Sequence, residues 1–167
     1  FALVIIIAVY VTVTNNKRKQ QTIIKKLKNG WGKPAQRKYS SEDYECISHY
    51  FKRNADENSI DDITWNDLGM DDVFRMMNNT NSSAGQEYLY KMLRSPSADI
   101  LSLKKLDKLA SDFDKNADKR LDIQKIFVWI GRAKHISISD YCDVVVGLEK
   151  KSNILHYASM LFILAAV

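Results

Sequence analysis

The sequence is poor in the residues that define several protein classes. Its two cysteines, Cys46 and Cys142, exclude a disulfide scaffold and a four-cysteine zinc site. Two prolines and six glycines among 167 residues exclude collagen-like and proline-rich low-complexity chains. Apolar residues make up 46% of the chain, which is too much for a wholly disordered protein. The chain is therefore sufficient for one domain with its own core.

Acidic residues are missing from the first quarter of the chain. Residues 1–41 carry nine Lys or Arg and no Asp or Glu, whereas residues 42–167 carry sixteen Lys or Arg against twenty Asp or Glu. The net charges of the two parts are thus +9 and −4. A domain that tracks nucleic acid usually spreads its positive charge over a folded face, whereas here the charge is concentrated at one end.

Two apolar runs stand at the ends of the sequence. Residues 1–13 and residues 154–167 contain no Lys, Arg, Asp or Glu. Each run is shorter than the roughly 20 residues of a spanning helix, but each reaches an end of the sequence, where a longer span would be cut. Basic clusters at residues 17–19 and 150–151 flank the runs on their inner sides. Because Lys and Arg collect on cytoplasmic flanks, the pattern predicts two truncated transmembrane helices.

This pattern predicts the domain organisation. We expect truncated transmembrane helices at residues 1–14 and 152–167, a basic juxtamembrane segment at residues 15–39 and a helical domain at residues 40–151. Residues 15–151 would then be cytoplasmic, with the protein held in the cell (inner) membrane. The basic segment favours anionic membrane lipids as partners, with DNA phosphate as the alternative. Its candidate contacts are Lys17, Arg18, Lys19, Lys25, Lys26 and Lys28.

The cytosolic part reads as all-α, because apolar residues recur at the helical period and no segment alternates as a strand does. Ser40 or Ser41 is suited to cap the first of its helices. Ser83 and Gln86 have the spacing of a capping box, which predicts the start of another helix. Pro96 then ends that helix, because the residue before a proline avoids the helical region.

Three more helices are predicted toward the end of the chain. The first spans about residues 98–113, the second ends at Gly131, and the third begins near Ser139 and continues without a break into the second apolar run. The apolar residues of the first recur on one side, which we expect to be buried. These residues are Ile100, Leu103, Leu106, Leu109, Ala110 and Phe113.

One segment partly matches a calcium-binding loop. Asp114, Asn116 and Asp118 stand at positions 1, 3 and 5 of an EF-hand pattern. However, Lys119 occupies the position that needs glycine for its sharp turn, and Lys125 occupies that of the bidentate glutamate. An acidic turn between two helices is therefore the favoured interpretation. A divergent EF-hand-like calcium-binding helix pair is the less favoured one, and it ranks below the two functional hypotheses given at the end of this section.

No other motif indicates chemistry. Cys46 and His49 are spaced as half of a metal site, but no second Cys/His pair lies nearby, so packing is favoured. The sequence contains no phosphate-binding P-loop, no Gly-x-Ser-x-Gly, no His-Glu-x-x-His and no Cys-x-x-Cys. We therefore expect this chain to hold no catalytic, cofactor or metal site.

Two segments combine polar, small and apolar residues at defined spacings. Residues 60–68 contain Asp-x-x-Thr-x-x-x-Leu, and residues 80–96 contain Thr-x-Ser-x-x-Gly-x-x-x-Leu-x-x-x-Leu-x-x-Pro. Together they resemble the core (lever) domain, domain III, of MutS-type DNA mismatch-repair ATPases. Three positions depart from the family pattern, because Glu87 stands where arginine is expected, Met92 where tryptophan is common and Gly69 where a glutamate follows the leucine. Ser82 is a conservative replacement of the family's second threonine. The matching positions are Asp61, Thr64, Leu68, Thr80, Ser82, Gly85, Leu89, Leu93 and Pro96.

The resemblance implies a fold and a function. The chain would be the helical bundle of a lever domain in a membrane-anchored, bacterial MutS-related branch, whose P-loop domain, with ATP and magnesium, would follow Val167. The segment itself would be non-catalytic and would transmit conformational change between the ATPase domain and a DNA- or partner-binding region, with a homodimer as the implied assembly. The alternative is a membrane-anchored structural or adaptor domain without nucleotide or DNA binding.

The signature residues also have expected local roles. Thr80 and Ser82 can satisfy the free backbone donors at the start of a helix, and Pro96 fixes where that helix ends. Gly85 lies in the first helical turn, where the missing Cβ permits another helix to approach closely. A helix of fixed length between two defined corners suits a lever.

Overall fold

The computed structural model describes residues 2–35, 37–96, 99–149 and 152–165. Within these ranges every regular element is an α-helix, which confirms the all-α prediction. None of the helices described there combines the length and the apolar character needed to cross a bilayer. The predicted basic flank at Lys150 and Lys151 lies outside the described residues.

Nine helices follow one another along the described chain, joined by short connections. α2 packs against α5, α8 packs against both of them, and α3 and α4 complete this group. α6 packs against α7, which in turn contacts the long helix α1. The bounds are α1 (Ala2–Gly30), α2 (Ser41–Arg53), α3 (Asp62–Asp67), α4 (Met70–Met77), α5 (Ser83–Arg94), α6 (Ile100–Lys115), α7 (Ala117–Ile130), α8 (Ile138–Gly147) and α9 (Ile154–Ala165).

The core is largely aromatic and is built from four short helices. Tyr90 on α5 lies at its centre, with ring centroids 5.0 Å from Trp65 on α3, 5.4 Å from Phe74 on α4 and 6.1 Å from Phe51 on α2. Ile47 adds an aliphatic side chain from α2. Rings in tilted and edge-to-face arrangements gain beyond their buried area, so this cluster fixes how α2 to α5 pack.

Ser40 begins α2, as the sequence predicts. The Ser40 hydroxyl accepts a hydrogen bond from the Asp43 amide at 3.2 Å, and the Asp43 carboxylate accepts one from the Ser40 amide at 2.8 Å. This reciprocal pair satisfies two backbone donors that have no partner within the helix. Ile47 and Phe51 then follow at the helical spacing and reach the core.

The prediction that α6 has a buried side is wrong in the described structure. Its apolar residues are largely exposed, with Ile100 at 66%, Leu103 at 48%, Leu106 at 45% and Leu109 at 49%. Ala110 is exposed and Phe113 is only half-buried. The helical period identifies an apolar face, but burial needs a partner surface, and α7 covers only part of this one.

The EF-hand pattern does not form a loop. Asn116 is the single residue between α6 and α7, and its side-chain amide donates to the Asp112 carboxylate at 2.7 Å. Asp118 and Asp122 lie within α7 instead of facing a central cavity from a twelve-residue turn. The segment therefore has the form of the acidic interhelical turn that the sequence favours.

The eighth and ninth helices are separate, so the predicted unbroken helix is wrong. α8 begins at Ile138 behind its cap Ser137, in agreement with the predicted start near Ser139. It ends at Gly147, and Leu148 takes an extended conformation with φ −71° and ψ 122°. One residue outside the helical region is enough to interrupt the series of backbone hydrogen bonds, because the following amide no longer points along the helix axis.

Candidate functional site

Asp61 and Thr64 of the first MutS-like segment form the start of α3. The Asp61 carboxylate accepts a hydrogen bond from the Thr64 amide at 2.7 Å. This bond holds the pKa of the Asp61 carboxyl below its usual value, because it favours the charged form. Leu68 caps the other end of this helix with its side chain 62% exposed. These positions therefore set the two ends of a six-residue helix.

α5 begins at Ser83 as predicted, and its cap is Ser82, which confirms the predicted role of Ser82 and moves the capping position one residue ahead of Ser83. The Ser82 hydroxyl, which is buried, accepts from the Gly85 amide at 3.1 Å. Ser82 has the extended backbone of an N-cap, with φ −137° and ψ 159°, whereas Ser83 is already helical. The Thr80 hydroxyl donates to the Asn78 side chain at 2.5 Å instead of serving a free helix donor, so its predicted capping role is wrong.

The Ser83 side chain joins α5 to the loop after α7. Its hydroxyl accepts from the Ala133 amide at 2.9 Å and donates to the Ala133 carbonyl at 3.4 Å. The Ser83 amide also donates to the Gly131 carbonyl at 3.2 Å. Residues 131–135 are therefore fixed to the first turn of α5.

Gly85 is crowded by the turn that precedes α5 and not, as predicted, by another helix. A Cβ at this position would lie 3.2 Å from the Ser82 hydroxyl oxygen and 3.2 Å from the Thr80 Cβ. Both neighbours are held by hydrogen bonds of their own. The missing side chain thus allows the turn at residues 80–82 to fold against the helix.

Replacing Gly85 by alanine is expected to lower the free energy of unfolding by about 1 kcal/mol. The new methyl group displaces the Ser82 cap, and the stability lost with the cap exceeds the stability that alanine gains from its higher helix propensity. Gly147→Ala is the matched control, since its methyl group meets no described atom within 4 Å. Urea denaturation followed by circular dichroism measures both. A Gly85→Ala variant as stable as the wild type would contradict the crowding argument.

The remaining signature residues lie along α5 and just beyond it. Leu89 and Leu93 are half-buried and pack against the aromatic core. The helix ends at Arg94 with Ser95 as its C-cap, and Pro96 follows directly. The second motif therefore spans one helix from its cap to its stop.

Glu87 fixes the start of α8 and is the residue that sequence reasoning missed most clearly. Its side chain is 3% exposed. The carboxylate accepts from the Ile138 amide at 2.6 Å, the Ser137 hydroxyl at 3.2 Å and the Ser139 amide at 3.3 Å. A carboxylate at a helix N-terminus satisfies free donors and lies at the positive end of the dipole.

Arg94 is the second buried charged residue of α5. Its guanidinium lies 4.4 Å from the centroid of the Trp65 ring and donates to the Ile60 carbonyl at 3.0 Å. It also donates to the Tyr90 hydroxyl at 3.1 Å and to the Asp62 carboxylate at 2.6 Å. The guanidinium therefore joins the end of α5 to the segment that enters α3. Ser83, Glu87, Tyr90 and Arg94 form the buried face of α5 at helical spacing, and this spacing is the signal that could have identified them.

Ion pairs join α2 to α8. His49 Nδ1 lies 2.5 Å from an Asp140 carboxylate oxygen, and Arg53 pairs with both Asp140 and Asp143. His49 thus has a carboxylate partner across the two helices, and the Cys46 thiol is in no disulfide. The parts of the chain that the structure describes contain no group of three or more His, Cys, Asp or Glu residues placed to hold a metal ion.

The predicted lipid contacts lie on the second half of α1, and all six side chains are exposed. Ile24 and Leu27 on the same helix are half-buried. Trp31 follows the helix, and its ring is covered by the Arg120 guanidinium at 3.9 Å. The cations of α1 are therefore free to face an anionic surface while α7 holds the end of the helix.

A second group of cations lines a pocket of about 440 Å³ between residues 37–39 and residues 132–135. Sequence reasoning missed it, because about ninety positions separate the two segments and only the docking of Ala133 on Ser83 brings them together. Arg37, Lys38, Arg132 and Lys134 line the pocket, with Tyr39, Gln86, His135 and the single carboxylate of Asp43.

The fold and the site together define an all-α domain with two groups of cations, one along α1 and one around the pocket. No protein-family model, curated protein or solved structure matches the chain.

Proposed function

We propose that this chain is the non-catalytic core (lever) domain of a membrane-anchored MutS-related ATPase. In this proposal it transmits conformational change between an ATPase domain outside residues 1–167 and a region that binds DNA or a partner. The apolar runs at residues 1–14 and 152–167 serve as parts of the membrane anchors, and residues 15–151 face the cytoplasm. ATP and magnesium belong to the ATPase domain, and DNA or a second copy to the whole protein.

The observation that carries the proposal is the way α5 is held along its length. Ser83 binds the loop after α7, Glu87 binds the start of α8, and Arg94 binds the segment that enters α3. A displacement of α5 must therefore move its neighbours or break buried polar contacts. A lever needs this coupling, because packed elements pass strain on only when they move as one body.

Hydrogen exchange in the full-length protein tests the proposal. We expect a Gly-x-x-x-x-Gly-Lys-[Ser/Thr] motif after Val167 and a change in amide exchange across α5 and α8 when ATP replaces ADP, because the lever would occupy two positions. Replacing the P-loop lysine is the control and should abolish the change. Nucleotide-independent exchange in α5 and α8, or a downstream sequence without the motif, would contradict the proposal.

A specific observation favours the adaptor hypothesis as the second candidate. α6 and α7 expose large apolar side chains, with Leu101 at 68%, Ile126 at 58% and Trp129 at 87%. Exposed apolar side chains concentrated on one helix pair are typical of a protein–protein contact. This hypothesis predicts a partner on α6 and α7 and no nucleotide dependence, so the same exchange experiment separates the two candidates.

A further inference from the structure

We propose that the pocket between residues 37–39 and residues 132–135 binds a phosphate group, with an anionic phospholipid headgroup as its source. This site is distinct from the predicted contacts on α1 and does not depend on the MutS-related function. Four Lys or Arg side chains and one carboxylate line the pocket, so its formal charge is +3 with His135 neutral. Its volume of about 440 Å³ lies within the range of small-ligand pockets, about 300–1,000 Å³.

Arg37 carries a donor that needs a partner. Its Nη1 is buried and has no hydrogen-bond partner among the described residues. A buried guanidinium nitrogen without an acceptor is unfavourable, because it has lost water and gained nothing in return. Arg37 also lines the neighbouring cavity, which contains Lys26 of α1. The guanidinium therefore lies between two basic cavities, where an anion would satisfy it.

Residues on both sides of Arg37 are anchored, Ala35 by its backbone and Tyr39 by its side chain. The Ala35 amide donates to the Met76 carbonyl at 2.8 Å, and the Tyr39 hydroxyl accepts from the Asn78 side chain at 2.7 Å. Arg37 is thus held against the end of α4 from both directions. A site whose donors are placed before the ligand arrives loses less entropy on binding.

Arg132 is fixed from the opposite wall. Its Nη2 donates to the Thr80 carbonyl and lies 3.0 Å from the Thr80 hydroxyl oxygen. Ala133 is held by Ser83, so the loop itself is anchored. Two guanidinium groups on opposite walls suit a phosphate, because their planar donors match its oxygens in pairs.

The carboxylates near the pocket are already engaged. Asp43 accepts two hydrogen bonds from Ser40, at 2.8 Å from the amide and 2.9 Å from the hydroxyl. Glu42 lies 3.3 Å from His135 Nδ1. Within the described residues, no ion pair occupies Arg37, Lys38, Arg132 or Lys134. Their charge remains available to an external anion.

The lysines of α1 favour a lipid as the source of the phosphate. Lys25, Lys26 and Lys28 lie in the last turns of the helix that leads into this region, and each adds attraction to an anionic bilayer of about 1 kcal/mol. Lys26 lines the cavity that Arg37 shares. A headgroup in the pocket would therefore lie beside a helix suited to the same surface.

Calorimetric titration of the 167-residue chain in non-ionic detergent tests the proposal. The ligands are short-chain phosphatidic acid, short-chain phosphatidylcholine, inorganic phosphate and a short DNA duplex. Replacing Arg37 and Arg132 together by glutamine is expected to weaken phosphatidic acid binding at least about tenfold, because two charge-assisted contacts are lost. Lys104→Gln with Lys105→Gln removes the same charge from the exposed surface of α6, outside the pocket, and is expected to change binding less than about twofold.

The ligands distinguish the sources. Phosphatidic acid binding more tightly than inorganic phosphate supports the headgroup, whereas equal affinities support the site with free phosphate as its source. Equal losses in the two double variants, no binding of either phosphate ligand, or preference for the duplex would overturn the proposal. Arg37→Lys keeps the charge and removes the planar fork, so unchanged affinity in that folded variant would also count against it.

Discussion

Replacing Arg94 by alanine is expected to lower the free energy of unfolding by about 3 kcal/mol. Arg94 is 6% exposed, and its guanidinium packs over the Trp65 ring at 4.4 Å. The substitution removes this contact and leaves the Ile60 carbonyl and the Tyr90 hydroxyl without their donor. A cavity is also opened in the aromatic core, and its walls lose packing contacts.

The matched control for this experiment is Arg75→Ala. Arg75 is half exposed and pairs with Asp72 one turn away on the same helix, so its loss is expected to change stability by less than about 0.5 kcal/mol. Urea denaturation followed by tryptophan fluorescence reports directly on Trp65. Similar losses in the two variants would show that Arg94 acts only as a surface charge.

Replacing Glu87 by alanine is expected to have a comparable effect, about 3 kcal/mol. The substitution leaves the Ile138 and Ser139 amides and the Ser137 hydroxyl without their acceptor beneath α5. Glutamine keeps one acceptor oxygen and should recover part of the loss. Amide exchange should rise at the start of α8 in the alanine variant, because that helix loses its buried cap.

Glu57→Ala serves as the control for Glu87, since Glu57 is an exposed carboxylate in the loop between α2 and α3. Its removal should leave both the unfolding midpoint and the exchange of α8 unchanged. Two results would contradict the role of this carboxylate in linking α5 to α8. One is an unfolding midpoint of Glu87→Ala equal to that of the wild type, and the other is a loss of stability without faster amide exchange at Ile138 and Ser139.

Local signals predicted the helix boundaries well where one side chain decides them. Ser40 caps α2 and Gly131 ends α7 because each position has a single chemical requirement, an acceptor for free amides or a positive φ. The start of α5 shows the limit of such signals. Ser82 and Ser83 are chemically alike, and only the backbone geometry, extended at Ser82, selects the cap.

Tertiary partners could not be predicted from the pattern. The apolar side of α6 has the period of a buried helix but lies exposed, because periodicity carries no information about what covers a face. The sequence marks Glu87 only as a departure from the MutS pattern, yet its side chain is buried against α8. The basic pocket joins segments far apart in sequence, so it appears only after the loop docks on α5.

The single-residue junction at Asn116 has a consequence for how the chain unfolds. α6 and α7 have no fully buried residue, and α7 is joined to α1, while the aromatic core lies within α2 to α5. The helix pair can therefore separate at little loss of buried apolar area. We expect the pair to open as a foldon of its own below the global transition, while α2 to α5 keep their packed core.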